Sequence, residues 1–382
     1  MTKDDPTIFL SAGDDSGDLH AANVMRSIRE TRPKVRFTGL GMDRMAEAGL
    51  EPLAEDGPSD SAMWLHNALR VGSFRARLNR CRKLFRENPP GLVMLVDFGG
   101  FNLYVARAAQ QQNIPVLYYI LPQVWAHGRY RLKKIRKWVD RPLVIYPFEP
   151  PIYRQYGVEA EYVGHPLFDE LDRNGPGDEE VQRLRAVLGE RTVALFPGSR
   201  RQEIKANLPI MLEAGTRLKG RFGDLSFAAV VPPAVRSLVE EMSAEAELEV
   251  LLPDARAVVL ARCAEICLTK SGTITLEIAS QHTPMVIFYR INPLLYFLGS
   301  GVKQTRYFGL INVLAGREIC PERSMYRDEP DWVAERAGEL LGDAGKHEQC
   351  RNEIRRAIAP IARPGASEAA ARAAVDLLGD SR

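Results

Sequence analysis

Scarcity sets the first limits. The 382-residue chain carries five cysteines, Cys81, Cys263, Cys267, Cys320 and Cys350. The number is odd and the spacing is not that of a metal knuckle, which excludes a disulfide scaffold and leaves a reduced thiol set. Cys263 and Cys267 lie one helical turn apart, but no histidine or second cysteine pair accompanies them, so a buried apolar role is expected rather than zinc. No apolar run approaches the roughly 18 residues of a membrane-crossing helix. Before the first acidic cluster there is only the short run Thr7–Ala12, unlike a secretory leader, so a cytoplasmic location is expected. Nucleotide fingerprints are missing as well. Neither G-x-G-x-x-G nor G-x-x-x-x-G-K-[ST] occurs, which disfavours a Rossmann dehydrogenase and a P-loop NTPase.

What is present is ordinary in amount and uneven in placement. Charged residues make up 26% and apolar residues 45%, values of a globular enzyme, and the length suits two or three cores. The net charge of +2 hides an asymmetry. From Arg70 to Arg141 fifteen Lys and Arg stand against three acids, Glu87, Asp97 and Asp140, while the remainder carries −10. Two basic runs, Arg75–Arg86 and Arg129–Lys137, are interleaved with Phe74, Leu78, Leu84, Phe85, Tyr130, Leu132 and Trp138. Solvated helix faces explain one such run; two suggest a surface for an anionic partner.

The order along the chain is strand then helix, repeated in two series. Candidate strands are Thr7–Ala12, Val35–Leu40, Leu92–Asp97, Val116–Ile120 and Leu143–Tyr146, then Thr192–Phe196, Ser226–Val231, Leu248–Leu252, Glu265–Thr269 and Met285–Tyr289. Continuous β-branched runs between helical segments predict parallel sheets buried on both faces. Breakers at Asn174–Asp178 mark a linker. The expected fold class is α/β, with two Rossmann-like domains facing a cleft. Their expected bounds are residues 1–175 and 180–362, with a C-terminal helix over 365–382 packing back on the first.

Chemistry is expected where strands end. Gly13-Asp14-Asp15-Ser16-Gly17-Asp18 is rich in acids, which repel a bare phosphate and suit a hydroxylated substrate; Asp18 or Ser16 also fits a helix cap there. Pro197-Gly198-Ser199-Arg200-Arg201 differs, because backbone N–H groups, a hydroxyl and two guanidinium groups make a diphosphate site. Lys270-Ser271-Gly272-Thr273 repeats that logic after another strand, and Glu277 one turn on can accept both hydroxyls of a ribose. Asp97 closes an apolar strand, where a desolvated carboxylate can serve as a general base. His127 and His165 lie in loops, the latter within Gly164-His165-Pro166.

In this order the motifs resemble those of the lipid-A-disaccharide synthase family, glycosyltransferases of the GT-B fold, from about Ile8 to about Leu378. The resemblance rests on Phe196-Pro197-Gly198-Ser199-Arg200 with Glu203, Ser271-Gly272-Thr273 with Leu276-Glu277, and Asn312-Val313-Leu314-Ala315-Gly316-Arg317. Ser16-Gly17-Asp18, Val124-Trp125-Ala126, Pro147-Phe148-Glu149 and Val163-Gly164-His165-Pro166 add to it. Departures gather in the first half. Asp14 stands for the family's Glu, and Asp97-Phe98-Gly99-Gly100-Phe101-Asn102 keeps the first Asp of Asp-x-Pro-Asp-Phe-Asn and loses the second. Ala62-Met63-Trp64-Leu65-His66-Asn67 replaces a Val-Met-Gly-x-x-Glu element, His127 replaces a Trp, and Ile311 a Pro.

The resemblance implies an inverting transfer of 2,3-diacylglucosamine from a UDP-diacylglucosamine donor to a monosaccharide-phosphate lipid acceptor, 2,3-diacylglucosamine 1-phosphate. Asp97 is the expected base. Ser199, Arg200, Glu203, Ser271, Gly272, Thr273, Glu277 and Asn312 are the expected UDP-sugar residues, and Ser16, Asp18, Met63, Trp125, His127 and His165 the expected acceptor side. No metal or other cofactor and no nucleic acid is expected. Acylated substrates imply peripheral contact with an anionic membrane surface at the inner face of the cytoplasmic membrane, through the basic block and Met63-Trp64-Leu65; holding the acceptor phosphate is the alternative role of that block. A homodimer stays open, as do a GT-B transferase with another acceptor and a non-catalytic nucleotide-sugar-binding paralogue.

Overall fold

In the computed structural model, which describes residues 6–53, 71–126, 128–290 and 306–380, the apolar runs become two parallel sheets. Each sheet belongs to its own compact unit, Met1–Asp169 with Arg363–Arg382 and Glu170–Ala362. In the first unit β1 (Thr7–Ser11), β2 (Arg36–Leu40), β3 (Leu50–Pro52), β4 (Leu92–Val96), β5 (Val116–Tyr119), β6 (Arg141–Val144) and β7 (Glu161–Tyr162) lie in the order β3-β2-β1-β4-β5-β6-β7. Every pairing is parallel. The central strands are apolar on both faces because helices cover both; every residue of β4 is fully buried. Strand order reverses between β1 and β4, so the chain leaves their carboxyl ends in opposite directions and opens a crevice there.

The second unit repeats the design. Its strands β8 (Thr192–Phe196), β9 (Ser226–Ala229), β10 (Ile266–Lys270), β11 (Met285–Arg290) and β12 (Glu322–Met325) follow the order β12-β11-β10-β8-β9, again all parallel. Here the reversal falls between β8 and β10. The helix Ala366–Asp380 packs on the helix Asp15–Thr31 of the first unit. Its amino end is capped from a distance: the Asp169 carboxylate accepts the N–H groups of Gly365 (2.6 Å), Ala366 (3.1 Å) and Ser367 (2.7 Å).

Three short edge strands, β3, β7 and β12, were not expected from the sequence, whereas Leu248–Leu252 meets its sheet only through one bridge, Ala228 to Leu251. The breakers at Asn174–Asp178 are tied down: Arg256 donates to the Gly175 carbonyl (3.2 Å) and Arg262 to that of Pro176 (2.8 Å). All five cysteines are buried and unbridged. Among the described residues no helix is long and apolar enough to cross a membrane.

Candidate active site

The crevice between β1 and β4 is built on a strained turn. Asp97 and Phe98, which follow β4, both have left-handed backbones (φ 47° and 51°), a conformation that costs non-glycine residues of order 1 kcal/mol or more. Asn102 holds the turn in place. Its amide donates to the carbonyls of Ser11 (3.1 Å), Val96 (3.2 Å) and Asp97 (2.9 Å) and accepts from the Ser11 hydroxyl (2.7 Å). The Tyr118 hydroxyl donates to the Asp97 carbonyl as well (2.6 Å). Phe98 lies against Gly13 so closely that a Cβ there would come within 2.2 Å of the ring, so only glycine lets the two loops meet.

The turn fixes the carboxylate. Burial pushes Asp97 up to about 6, the nearby Asp14 charge adds to the rise, and the Phe98 N–H, 2.7 Å from Asp97 Oδ1, partly opposes it. Asp14 caps the helix Asp15–Thr31 through the Gly17 N–H (2.7 Å) and accepts from the exposed Ser16 hydroxyl (3.2 Å).

The other residues expected on the acceptor side take up separate places. Asp18 is buried, and its carboxylate accepts the N–H groups of Met42 (2.6 Å) and Arg44 (2.9 Å) at the start of the helix Asp43–Glu47; its side chain is spent on that cap. Trp125 donates to Glu149 Oε1 (3.0 Å), while Glu149 Oε2 accepts the Ile145 and Tyr146 N–H groups (3.2 and 3.0 Å). Burial pushes Glu149 up to about 7 against those bonds. His165 lies 5.2 Å from the Tyr146 ring, and its Nδ1 accepts the Leu167 N–H (3.2 Å). His165 Nε2 and the Tyr146 hydroxyl are buried with no hydrogen-bond partner among the described residues. Burial, reinforced by His20, lowers His165 to about 3, so it is neutral. Met63 and His127 lie outside the described residues.

The second crevice forms a cavity of about 400 Å³. One wall is the loop from β8 into the helix Arg201–Phe222, with Gly198, Ser199, Arg200 and Glu203; the other runs from β10 into the helix Ile274–Ser280, with Lys270, Gly272, Thr273 and Glu277. Glu203 Oε2 accepts the Ser199 N–H (3.1 Å), and its Oε1 pairs with Lys270 Nζ (2.8 Å) and faces Arg200 Nη1 (3.7 Å). Burial alone would raise Glu203, but the Lys270 hydrogen bond and charge outweigh it and hold the carboxyl below its ordinary value. Glu277 is raised by burial, and no donor among the described residues pairs with its carboxylate. Two expected residues do not line the cavity. The Ser271 hydroxyl donates to the Phe308 carbonyl (3.0 Å). Asn312 is wholly buried, donating to the Cys320 carbonyl (2.8 Å) and Glu322 (2.9 Å) and accepting from Ile319 and Cys320 (2.8 and 3.0 Å).

The sequence motifs include Lys270, Asn102 and Glu149 but assign none of them a role. For Lys270 a signal existed, a cation closing the apolar strand Ile266–Thr269. For Asn102 the only signal was its place in the Asp97–Asn102 motif, since its partner Ser11 is 91 residues away. A larger cavity of about 670 Å³ opens at the amino ends of β8, β10 and β11, lined by Arg185, Arg262, Glu265 and His347 among others. It lies at the opposite strand ends from those where α/β sheets bind their substrates, and Arg262 and Glu265 are already engaged by Asp178 and Arg191.

A family model described as lipid-A-disaccharide synthetase matches residues 8–375. The lipid-A-disaccharide synthase of Geobacter sulfurreducens is 34% identical over 376 residues, covering 97% of each chain. That of Anaeromyxobacter sp. is 36% identical over 380 residues, 98% of this chain and 97% of its own. Among solved structures, the S. aureus MnaA–UDP co-structure superposes with a TM-score of 0.65 at 14% identity, over 95% of this chain and 94% of that one. That likeness carries the fold alone.

Proposed function

The chain belongs to the lipid-A-disaccharide synthase family, and from that premise we propose how its two crevices divide the reaction. It is a glycosyltransferase of the GT-B fold. It transfers 2,3-diacylglucosamine from UDP to 2,3-diacylglucosamine 1-phosphate, making a β(1→6) linkage and releasing UDP. In our reading the second unit takes the donor. Ser199, Arg200, Thr273 and the N–H groups at two helix starts receive the diphosphate. Glu277, raised by burial and without a donor among the described residues, receives the ribose hydroxyls. Ser271 and Asn312 take no direct part in this reading, since their side chains are bonded to Phe308 and to Ile319, Cys320 and Glu322 outside the cavity lining.

The first unit takes the acceptor. Asp97 accepts the proton of the 6-hydroxyl as its oxygen bonds to the sugar C1, the C1–oxygen bond to UDP breaks, and the configuration inverts. The observation that carries this role is the carboxylate itself, held on a strained turn at the strand-order reversal with a pKa pushed up to about 6. A base so placed is ionised at neutral pH yet retains appetite for a proton. Incubating the protein with UDP-diacylglucosamine and its monosaccharide 1-phosphate, then weighing the products by mass spectrometry, tests the reaction. Disaccharide 1-phosphate with stoichiometric UDP is expected, and UDP release without coupled disaccharide would overturn it.

Peripheral membrane attachment is supported by one face of the first unit. The helices Val71–Glu87, Asn102–Gln110 and Leu132–Trp138 pack side by side. They and the turn before the last expose Arg75, Arg82, Lys83, Arg86, Arg107, Arg129, Lys133, Arg136 and Lys137. Tyr104 and Tyr130 are exposed between them, with Lys134 Nζ 5.4 and 5.8 Å from their ring centres. Clustered cations with interleaved aromatics suit an anionic lipid surface.

A further inference from the structure

In the donor cavity the Ser199 N–H and the Lys270 ammonium, two groups suited to a diphosphate, already hold an anion. Glu203 Oε2 takes the Ser199 N–H (3.1 Å) and Oε1 takes Lys270 Nζ (2.8 Å), with Arg200 Nη1 at 3.7 Å. A carboxylate with its two oxygens on a backbone N–H and a cation occupies contacts that a phosphate would make. It bridges the loops after β8 and β10 across the strand-order reversal. Gly198 makes room for it: its backbone is left-handed (φ +120°), and a Cβ there would lie 2.4 Å from Glu203 Oε2 and 2.7 Å from Glu203 Cβ. Glu203 and Lys270 are each 23% exposed, so both are reachable from the cavity yet too enclosed for water to neutralise them separately.

We propose that Glu203 is a built-in stand-in for the donor diphosphate, and that Lys270 is the cation exchanged between Glu203 and the UDP phosphates as donor enters and UDP leaves. This rests on the reading of the cavity as the donor site. A fixed glutamate beside a diphosphate would repel it, so the residue cannot serve as a direct ligand in the bound state. As a stand-in it keeps the Ser199 N–H and the Lys270 ammonium aimed into the cavity when nothing is bound. On donor binding the carboxylate yields both to the diphosphate. When UDP departs its return satisfies the vacated groups, which lowers the barrier to product release.

The sign of one substitution separates this from a scaffold role. Titration calorimetry of the full chain with UDP and with uridine, across a range of salt, gives the readout. Glu203→Gln keeps the shape and removes the competing charge, so UDP should bind tighter, by roughly three- to thirty-fold for one like charge at contact distance in a part-buried site. Its salt dependence should steepen, because Lys270 is no longer neutralised. Lys270→Met should weaken UDP by a similar factor, the double variant should fall between the two, and uridine should bind all forms alike. Glu203→Gln binding UDP more weakly than the parent, while Glu277→Ala also weakens it, would overturn the exchange and keep the donor site. UDP affinity indifferent to Glu203, Lys270 and Glu277 together would overturn both.

Discussion

At Asp97 a charge, a left-handed backbone and a buried strand end coincide, and each leaves a measurable trace. Asn has nearly the same shape but accepts no proton, so Asp97→Asn should lower turnover by roughly 10²- to 10⁴-fold with UDP affinity kept. A helix-cap role predicts almost no change, since Asn caps as well as Asp. In the parent, kcat/KM should rise with pH through about 6 as the base ionises. The same shift acts on stability with a definite sign. Burial raises the folded-state value above 3.8, so the contribution of Asp97 to the fold is full below about pH 4 and is lost as pH rises through about 6. Calorimetric melting should therefore place Asp97→Asn above the parent at pH 8 and close to it at pH 4. An equal shift at both values would remove the buried charge from the account. Asp97 was legible because an acid closing an apolar run is conspicuous. Its support was not, because the Asn102 amide ties segments that only the fold brings together.

Elements were legible in proportion to their burial. Strands covered on both faces, such as β4 and β8, read as unbroken apolar runs, and their bounds follow from that. Edge strands do not. Glu161–Tyr162 and Glu322–Met325 are short, half-solvated and carry charges, features that protect an edge and erase the pattern. The last helix was legible as an Ala-rich run, but its anchor was not, because Asp169 caps it from about 200 residues away. That cap makes a prediction at this scale. Asp169→Ala strips a buried carboxylate from three N–H groups and should cost about 1–3 kcal/mol. Hydrogen exchange should show the loss first in Ala366–Asp380 and in Asp15–Thr31, on which that helix packs. Unchanged protection in both, with a lower melting temperature elsewhere, would place the role of Asp169 outside the cap.

Across the whole molecule charge and chemistry are kept in different places. Both candidate crevices lie at strand-order reversals, a position set by topology, whereas the thirteen cations from Arg75 to Lys137 lie on the helices Val71–Glu87, Asn102–Gln110 and Leu132–Trp138 and the turn before the last. The excess was countable in the sequence; its concentration on three adjacent helices needed the structure, because Arg82 and Arg136 are far apart in the chain. Near an anionic surface each such residue contributes about 1 kcal/mol, and the attraction falls within a Debye length. Replacing Arg129, Lys133, Arg136 and Lys137 together by Gln should then cost about 4 kcal/mol of attachment. Co-sedimentation with phosphatidylserine-containing vesicles should fall well below that of the parent, and high salt should bring the parent to the level seen with zwitterionic ones. UDP affinity should be untouched, since every residue lining the proposed donor cavity belongs to the other unit. Equal sedimentation of parent and variant would mean that charge on this face does not hold the protein to lipid.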